Sequence, residues 1–362
     1  MSRQRNGGSK APRGVGLRKV AEIAGVSTAT VSRAMNNPKL VSRELQERVA
    51  SVVERLGWVP DGAARALATR RTGAIGAVFP TLTHGDFARA IDGLQRELAR
   101  LGYTLLLACS EYDSEQEFQQ VRKFVERGVD ALLLVGEAHH PNLKEFLERN
   151  GVPLLNMFVY NPNSHGSSIG PDNHKALYRL TRHLIELGHR RFGVIAQDST
   201  TNDRARARNQ GIRDALAEEA LGVRPEHFVV GKWTIREGRE LFRRIVSHDP
   251  RPTAVICGNG YLAVGAMLES QALGIRVPGE MSIVGYDDIE IMTELPISIT
   301  TVRVLSDEVG RRAGRHIAAL LEGRQEATEF ECDAEIEARA SSGPVPVYAG
   351  FVGWVELLRN PS

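Results

Sequence analysis

The hydrophobic pattern of the chain changes character near residue 73. From there towards the C-terminus, short and almost continuous apolar runs alternate with amphipathic segments of helical period. Continuous apolar runs are typical of strands buried on both faces, and their alternation with helices predicts an α/β fold with parallel sheets. The predicted strands are residues 74–79, 104–109, 131–135, 153–157, 192–196, 254–257 and 281–286.

The segments between these runs predict helices. The strands are too many for one compact sheet, so we predict two α/β lobes. Ligands bind such sheets at the carboxyl ends of the strands, and a cleft between two lobes brings several of those ends together. The sequence therefore predicts a ligand site between the lobes. The predicted helices include Phe87–Leu101, Glu115–Arg127, His174–Leu187, Arg208–Glu219 and Leu262–Leu273.

A different pattern precedes residue 73. Residues 17–37 read LRKVAEIAGVSTATVSRAMNN, with apolar residues at helical spacing on both sides of Gly25. Glycine permits a sharp turn there, and Ser27 is a good N-cap for a second helix over Thr28–Asn36. Two short helices joined in this way predict an all-α helix-turn-helix, which places one helix in the major groove of DNA.

A third helix completes this small domain. It is predicted over Ser42–Leu56 and ends at Gly57, while Val31 and Met35 of the second helix are predicted to point the same way. Residues 1–14 contain almost nothing to bury and predict a disordered basic tail. Residues 60–72, PDGAARALATRRT, are too short for a helix that is stable alone, so they predict a hinge that orders when something holds it.

Charge is unevenly distributed along the 362 residues. Of the 46 Lys and Arg residues, 14 lie within residues 1–72, together with 5 of the 44 Asp and Glu residues. That segment therefore carries a net charge of +9, and the rest of the chain carries −7. A basic head on an acidic body indicates that only the head meets a polyanion, although a solvated basic tail without a partner gives the same count.

These motifs together resemble the lactose/galactose-repressor family (LacI/GalR). The resemblance rests on VAEIAGVSTATVSRAMN, on GWVPDGAARALATRRTGAIG at 57–76, and on LGHRRFGVIA, RARNQG, LAVGAM, GIRVPGEMSIVGYDD and TTV further along. It covers about residues 15–345 and implies a bacterial homodimeric or tetrameric repressor with a periplasmic-binding-protein-like effector domain. The implied domains are a DNA-binding domain at 15–59, a hinge at 60–72 and an effector domain at 73–346. The two lobes of the effector domain are expected at 73–170 with 303–328, and at 171–300 with 329–346. The tail 347–362 matches nothing in the family.

The resemblance also implies which residues meet operator DNA. Thr28, Ala29 and Arg33 are expected to face base edges, since Arg reaches guanine bidentately and small residues suit a thymine methyl. Leu67 of the hinge is expected to wedge into the minor groove beside Ala64 and Ala68, or else to pack within the hinge helix. Gly16, Lys19 and Asp61 depart from the family pattern, and Lys19 is expected near a phosphate. The residues expected at phosphates are Ser27, Thr30, Ser32, Asn36 and Ser42.

In the effector domain, the resemblance makes Arg208, Asn259 and Asp287 ligand contacts. An Arg, an amide and a carboxylate suit a hydroxyl-rich ligand, a sugar or sugar acid, on which Phe158 or Tyr160 can stack. The family commonly carries Asp where this chain has Gly260. Loss of that carboxylate favours an anionic or larger ligand, as do the nearby Arg204 and Arg206. Induction and corepression use the same parts, so the sign of the response is left open.

The sequence argues against several other functional classes. Residues 166–170 fit GxSxG, but no strand precedes the Ser, and residues 258–263 fit GxGxxA outside the first βαβ unit. His139, His140, His183 and His189 lack metal-ligand spacing, so neither a cofactor nor a metal is expected. A secreted solute-binding protein would need a signal segment, which the N-terminus lacks, so a cytoplasmic regulator is expected. A regulator switched by a protein partner is the remaining alternative.

Overall fold

A computed structural model describes residues 16–36, 40–59, 71–162, 167–324 and 329–345. The predicted basic tail, the hinge residues 60–70 and the C-terminal tail 347–362 lie outside these ranges. The chain divides into two compact units, Met1–Thr72 and Gly73–Ser362. Within the described residues, no helix is long and apolar enough to cross a membrane.

The first unit contains three short helices, α1 (Leu17–Ala24), α2 (Thr28–Asn36) and α3 (Arg43–Leu56). Gly25 ends α1 in the left-handed conformation with φ 64°. Ser27 caps α2, because its Oγ accepts the backbone N–H of Thr30 at 3.1 Å. Two helices and a tight turn therefore form the predicted helix-turn-helix. The core is formed by Val20, Ala21, Ala24, Val31, Val49 and Val52.

Met35 corrects one detail of this prediction. It is 38% exposed, whereas Val31 on the same helix is fully buried. Ala34 packs against the core in its place. Positions 31 and 34 are three residues apart and share the buried face of the helix, which leaves no room there for the longer side chain of Met35.

The second unit contains two six-stranded sheets, one in each lobe. The first sheet has the order β11-β5-β4-β3-β1-β2 and is parallel throughout. The second has the order β12-β10-β9-β8-β6-β7, and only the pairing of β10 with β12 is antiparallel. The strands are β1 (Ala74–Phe79), β2 (Thr104–Cys109), β3 (Ala131–Val135), β4 (Leu154–Met157), β5 (Ser167–Gly170), β6 (Phe192–Gln197), β7 (Val223–Gly231), β8 (Ala254–Cys257), β9 (Ser282–Asp287), β10 (Thr300–Val304), β11 (Glu329–Glu331) and β12 (Ala334–Glu337).

Helices cover both faces of each sheet. In the first lobe, α4 and α12 pack on one face, and α5 and α6 on the other. In the second lobe, α7 and α8 cover one face, and α9 and α10 the other. The helices are α4 (Gly85–Arg100), α5 (Ser114–Glu126), α6 (Leu143–Asn150), α7 (Asn173–Glu186), α8 (Asp203–Ala217), α9 (Ile235–Val246), α10 (Gly260–Ala272), α11 (Ile291–Glu294) and α12 (Ser306–Leu321).

The helices α4 and α12 cross at a glycine. A Cβ at Gly310 of α12 would lie well under 3.0 Å from the backbone carbonyl oxygen of Ala90 on α4, which is closer than real Cβ atoms come. One turn later on α12, a Cβ at Gly314 would lie 3.2 Å from the side chain of Glu97. The two helices therefore touch backbone to backbone at the first glycine and through a flexible side chain at the second.

The chain passes between the lobes three times, after β5, after β10 and after β11. This corrects two of the predicted lobe boundaries. Residues 303–304 belong to the second sheet rather than the first lobe, and Glu329–Glu331 pairs with β5 in the first sheet rather than with the second. Glu329–Glu331 is a three-residue strand at a sheet edge, and its sequence carries too little apolar pattern to locate it.

Candidate functional site

The surface suited to DNA lies on the exposed face of α2. Thr28, Ala29 and Arg33 are exposed there, while Val31 faces the core. Ser27, Ser32 and Ser42 are exposed as well, and Thr30 is half-buried. Lys19 of α1 forms an exposed ion pair with Glu22 at 3.0 Å. Ala64, Leu67, Ala68 and the side chain of Asn36 lie outside the described residues. Arg33 is thus a long cationic side chain among small ones on α2. In a helix-turn-helix, this second helix is the one that enters the major groove.

A second site lies in the cleft between the two lobes of the effector unit. About 40 Å³ of its interior is open to the centres of water molecules. The cleft is therefore tightly closed, because 40 Å³ is room for only about three waters. Its lining residues are His84, Asp86, Phe87, Tyr112, Phe158, Asn173, Gln197, Asn202, Arg204, Arg208, Tyr286, Asp287 and Val304.

Arg208 lies at the base of this cleft and is 7% exposed. Its two terminal nitrogens donate to the amide oxygens of Asn173 and Gln197, both at 2.7 Å. The guanidinium lies over the Tyr286 ring, 4.6 Å from the ring centroid. Its Nε has no hydrogen-bond partner among the described residues. A buried cation held by neutral amides, with one N–H unused, is suited to an oxygen-bearing ligand.

Two acidic side chains line the same cleft as Arg208. Asp86 is buried at the start of α4, and Asp287 is buried at the end of β9. Burial, followed by the negative charge of Asp287, holds the pKa of Asp86 well above its usual range, although the ion pair with Arg89 opposes this shift. Nε2 of His84 lies 3.5 Å from Oδ2 of Asp287. Burial lowers the pKa of His84. Such perturbed groups in a cleft indicate a functional site.

Aromatic rings form the apolar wall of the cleft. Phe87 and Phe158 meet edge to face with their centroids 5.1 Å apart. Burial raises the pKa of the Tyr112 hydroxyl, which also lines the cleft. Phe158 and Asp287 adopt positive φ angles, 60° and 89°, which non-glycine residues rarely do. Backbone strain of this kind clusters at ligand sites.

The cleft brings together Arg208, Asp287 and Phe158 of the predicted effector contacts, but not the other two. Asn259 caps α10 through its Oδ1, which accepts the N–H of Leu262 at 2.9 Å, and Tyr160 is half-buried; neither lines the cleft. Arg208 lies in the second turn of α8 rather than at its first residue, because Asn202 caps that helix.

Arg204 and Arg206 take different positions. Arg206 is exposed and hydrogen-bonds the backbone carbonyls of residues 199 and 200. Arg204 lines the cleft, but its Nη1 donates to the carbonyl of Val135 in the first lobe at 2.8 Å. One of these two arginines therefore links the lobes and the other is turned to solvent.

Of the first-lobe residues that line the cleft, the sequence predicted Phe158 but not His84, Asp86, Phe87 and Tyr112. His84, Asp86 and Phe87 follow the carboxyl end of β1, and Tyr112 follows that of β2. The rule that ligands bind at strand carboxyl ends was applied only to strands of the second lobe, and the same rule at β1 indicates these residues. No comparable sequence motif marks the cleft residues Asn173, Gln197 and Asn202.

The raised pKa of Asp86 predicts a pH-dependent stability. A carboxyl with a raised pKa takes up a proton on folding, so its stabilising contribution is complete below the unfolded value, near 4, and is lost as pH rises through the folded pKa. The side chain at position 86 of the Asp86→Asn variant cannot ionise. We expect its free energy of unfolding, measured in urea with EDTA present, to fall less between pH 5 and pH 8 than that of the wild type. Asp92→Asn, an exposed change on the same helix, should follow the wild type; parallel curves for all three proteins would contradict the prediction.

Comparison with known proteins finds matches for both parts of the chain. The description "bacterial regulatory proteins, lacI family" matches residues 16–61, and a periplasmic binding protein-like domain matches residues 181–342. The HTH-type transcriptional repressor PurR of Vibrio cholerae serotype O1 is 30% identical over 325 residues, covering 89% of this chain and 96% of that protein.

Two solved structures share the fold. The lac repressor dimer bound to operator and the anti-inducer ONPF has a TM-score of 0.82 at 23% identity, covering 91% of this chain and all of that one. The transcriptional regulator CelR in complex with cellobiose has a TM-score of 0.68 at 25% identity, with the same coverage.

A helix-turn-helix unit followed by a two-lobed α/β unit with a polar cleft defines a DNA-binding transcriptional regulator. The chain belongs to the lacI family of bacterial regulatory proteins. It is a DNA-binding transcriptional repressor, and the repressors of this family bind operator DNA and small-molecule effectors and function as dimers.

Proposed function

We propose that this repressor binds a palindromic operator as a homodimer and is controlled by a sugar or sugar acid held between its two lobes. The buried Arg208, with its unpartnered Nε and its neutral amide partners, is the observation that carries the proposal. A sugar hydroxyl or carboxylate oxygen supplies the acceptor that this nitrogen lacks. CelR, with cellobiose bound, is a relative of the same fold that takes a carbohydrate.

The other lining residues support a hydroxyl-rich ligand. The Asp86 and Asp287 carboxyl groups form hydrogen bonds with hydroxyl groups, and the phenyl rings of Phe87 and Phe158 offer apolar faces to the C–H side of a sugar ring. Asp86 provides a second carboxyl group in the cleft, although position 260 has none. The raised pKa of Asp86 favours its neutral form, so both neutral sugars and sugar acids fit.

Closure of the lobes couples the ligand to the rest of the protein. Besides the Arg204 contact, the hydroxyl of Tyr261 accepts the N–H of Gly85 at 3.3 Å. The N–H of Glu137 donates to Asp203 at 2.6 Å. These contacts join the lobes on both sides of the cleft, so a sugar-sized ligand requires the lobes to separate before it enters. An effector then shifts operator affinity by its differential affinity for the open and closed states.

The proposed domain division follows from this mechanism. Residues 15–59 bind the major groove, residues 60–72 form a hinge between head and body, and residues 73–346 bind the effector and dimerise. Within the hinge, Leu67 with Ala64 and Ala68 meets the minor groove. Two heads on one dimer fix the spacing of two half-sites, which makes the operator palindromic.

Arg33 is expected to carry the base specificity of the head. Arg33→Ala should weaken binding to the best operator by about 1–3 kcal/mol and relax specificity at one base pair of each half-site. Arg43→Ala, which removes another exposed arginine of the same unit, should lower affinity equally for all sequences or not at all. Binding to a panel of single-base operator variants checks this, and an unchanged base preference in Arg33→Ala would refute the assignment.

The effector assignment is tested with the full-length protein and an operator selected from random DNA. Operator affinity is measured with matched pairs of neutral sugars and their acids, such as D-glucose and D-gluconate, and binding is confirmed by calorimetry. At least one compound should change operator affinity tenfold or more, about 1.4 kcal/mol, in either direction. If no carbohydrate binds, control by a protein partner becomes the better explanation.

A further inference from the structure

Three side chains in the cleft form a cluster that the spacing of histidines along the chain does not reveal. His84, Asp86 and Asp287 each offer a ligand atom, and these atoms lie within 4.8 Å of one another. All three side chains are buried. Because Asp287 is about 200 residues from the other two in the sequence, no sequence motif joins them.

The donor set suits a transition metal ion. One imidazole nitrogen and two carboxylates are the ligands of many Zn²⁺, Mn²⁺ and Fe²⁺ sites. The 3.5 Å between Nε2 of His84 and Oδ2 of Asp287 is close to the separation of two ligands that share one metal ion at about 2.1 Å. Arg89 contacts Oδ1 of Asp86 and orients that carboxylate, as partners of metal ligands do.

The surroundings of His84 leave its imidazole short of protein partners. Its Nε2 faces Asp287, whereas Nδ1, on the other side of the ring, has no hydrogen-bond partner among the described residues although His84 is only 5% exposed. A buried imidazole ordinarily has polar partners at both nitrogens. The rings of Phe87, Trp233 and Tyr261 surround it, with centroids 5.3, 5.5 and 5.0 Å away, so water does not easily replace the missing partner.

We propose that His84, Asp86 and Asp287 bind a divalent transition metal ion, of the Zn²⁺ or Mn²⁺ class, between the two lobes. His84 and Asp86 belong to the first lobe and Asp287 to the second. The ion therefore links the lobes and stabilises the closed cleft. The proposal differs from the expectation from sequence that the chain has no metal site. The proposal does not depend on the identity of the effector, because the protein supplies all three ligands.

The test uses full-length, tag-free protein freed of metal with EDTA and then titrated calorimetrically with Zn²⁺ alone. The wild type should bind one equivalent and melt at a higher temperature when loaded. His84→Gln and Asp86→Asn should each weaken binding about tenfold or more and lose the thermal shift. His174→Ala, which removes an exposed histidine paired with Asp214 at 2.7 Å, is the matched control and should bind like the wild type.

A spectroscopic measurement on the wild type avoids any effect of the substitutions on folding. Electron spin-echo spectroscopy of the Cu²⁺-loaded wild type should detect a single imidazole nitrogen, and the bound ion should quench the fluorescence of Trp233 beside His84. Absence of Zn²⁺ binding by the wild type overturns the proposal, as does binding that both cleft variants retain. Sugar binding by the EDTA-treated protein is measured separately, so failure of the metal site is distinguishable from failure of the proposed effector class.

Discussion

A repressor that carries Arg208→Met is expected to fold and bind its operator like the wild type, but to lose its response to the effector. The guanidinium is buried in the cleft, and its Nε has no partner among the described residues. Loss of a buried charged hydrogen bond to a ligand costs several kcal/mol, so effector affinity should fall about 100-fold or more. Calorimetry with the effector and gel shifts with and without it measure the two properties.

This variant should still fold, although it should be less stable than the wild type. Methionine has a similar length and leaves no buried charge, and the Tyr286 hydroxyl still donates to Asn173 at 3.2 Å. Gln197 loses its donor, at a cost of about 1–3 kcal/mol. Arg206→Met, an exposed change on the same helix, is the control and should respond normally. An Arg208→Met protein that still binds effector with wild-type affinity would remove the central support for the proposed ligand site.

Gly310→Ala is expected to destabilise the effector unit, although alanine is the better helix former by about 1 kcal/mol. The new methyl group would overlap the carbonyl oxygen of Ala90, so α4 and α12 must move apart. Overpacking of this kind costs about 1–3 kcal/mol and exceeds the gain in helix propensity when the obstacle is backbone. Denaturation in urea measures the net loss.

Gly314→Ala on the same helix separates the two effects. Its methyl group meets the flexible side chain of Glu97, which can shift by a few tenths of an ångström. We expect this variant to be neutral or slightly more stable than the wild type. Equal effects of the two substitutions would show that the backbone contact at Gly310 does not limit the packing of α4 against α12.

The sequence predicted the elements whose pattern is strong. All seven predicted strands are present, because buried strands such as Ala131–Val135 are apolar at every position. Five further strands were missed. The strand Val223–Gly231 lies at a sheet edge and contains Pro225 and charged residues, and Glu329–Glu331 has a single apolar residue. Edge strands such as these two bury one side at most, so their sequences lack the signal. The missed strands Ser167–Gly170 and Thr300–Val304 lie inside their sheets, but each begins with two hydroxyl residues.

The cleft was predictable only in part. Asp287 and Arg208 were found through the family resemblance, and Asp86 was not, because its position after β1 matches no quoted motif. The proximity of Asp86 to Asp287 depends on how the two lobes close. A contact between residues about 200 positions apart in different sheets is a tertiary property that local patterns do not encode. Asn259 as a ligand contact stays a prediction, since its Oδ1 caps a helix while its buried Nδ2 has no hydrogen-bond partner among the described residues.

The threefold passage of the chain between the lobes has a consequence for synthesis on the ribosome. The face of α4 that carries Leu94 and Leu98 is covered by Val309 and Ile317 of α12, which are made more than 200 residues later. At a synthesis rate of about 5–20 residues per second, the delay between α4 and α12 is about 10–40 s. Throughout that interval the nascent first lobe exposes an apolar surface, and by its end the second lobe has most of its strands. Completion of the N-terminal lobe therefore waits for the end of translation, and chaperones that bind apolar segments are expected to act on this stage.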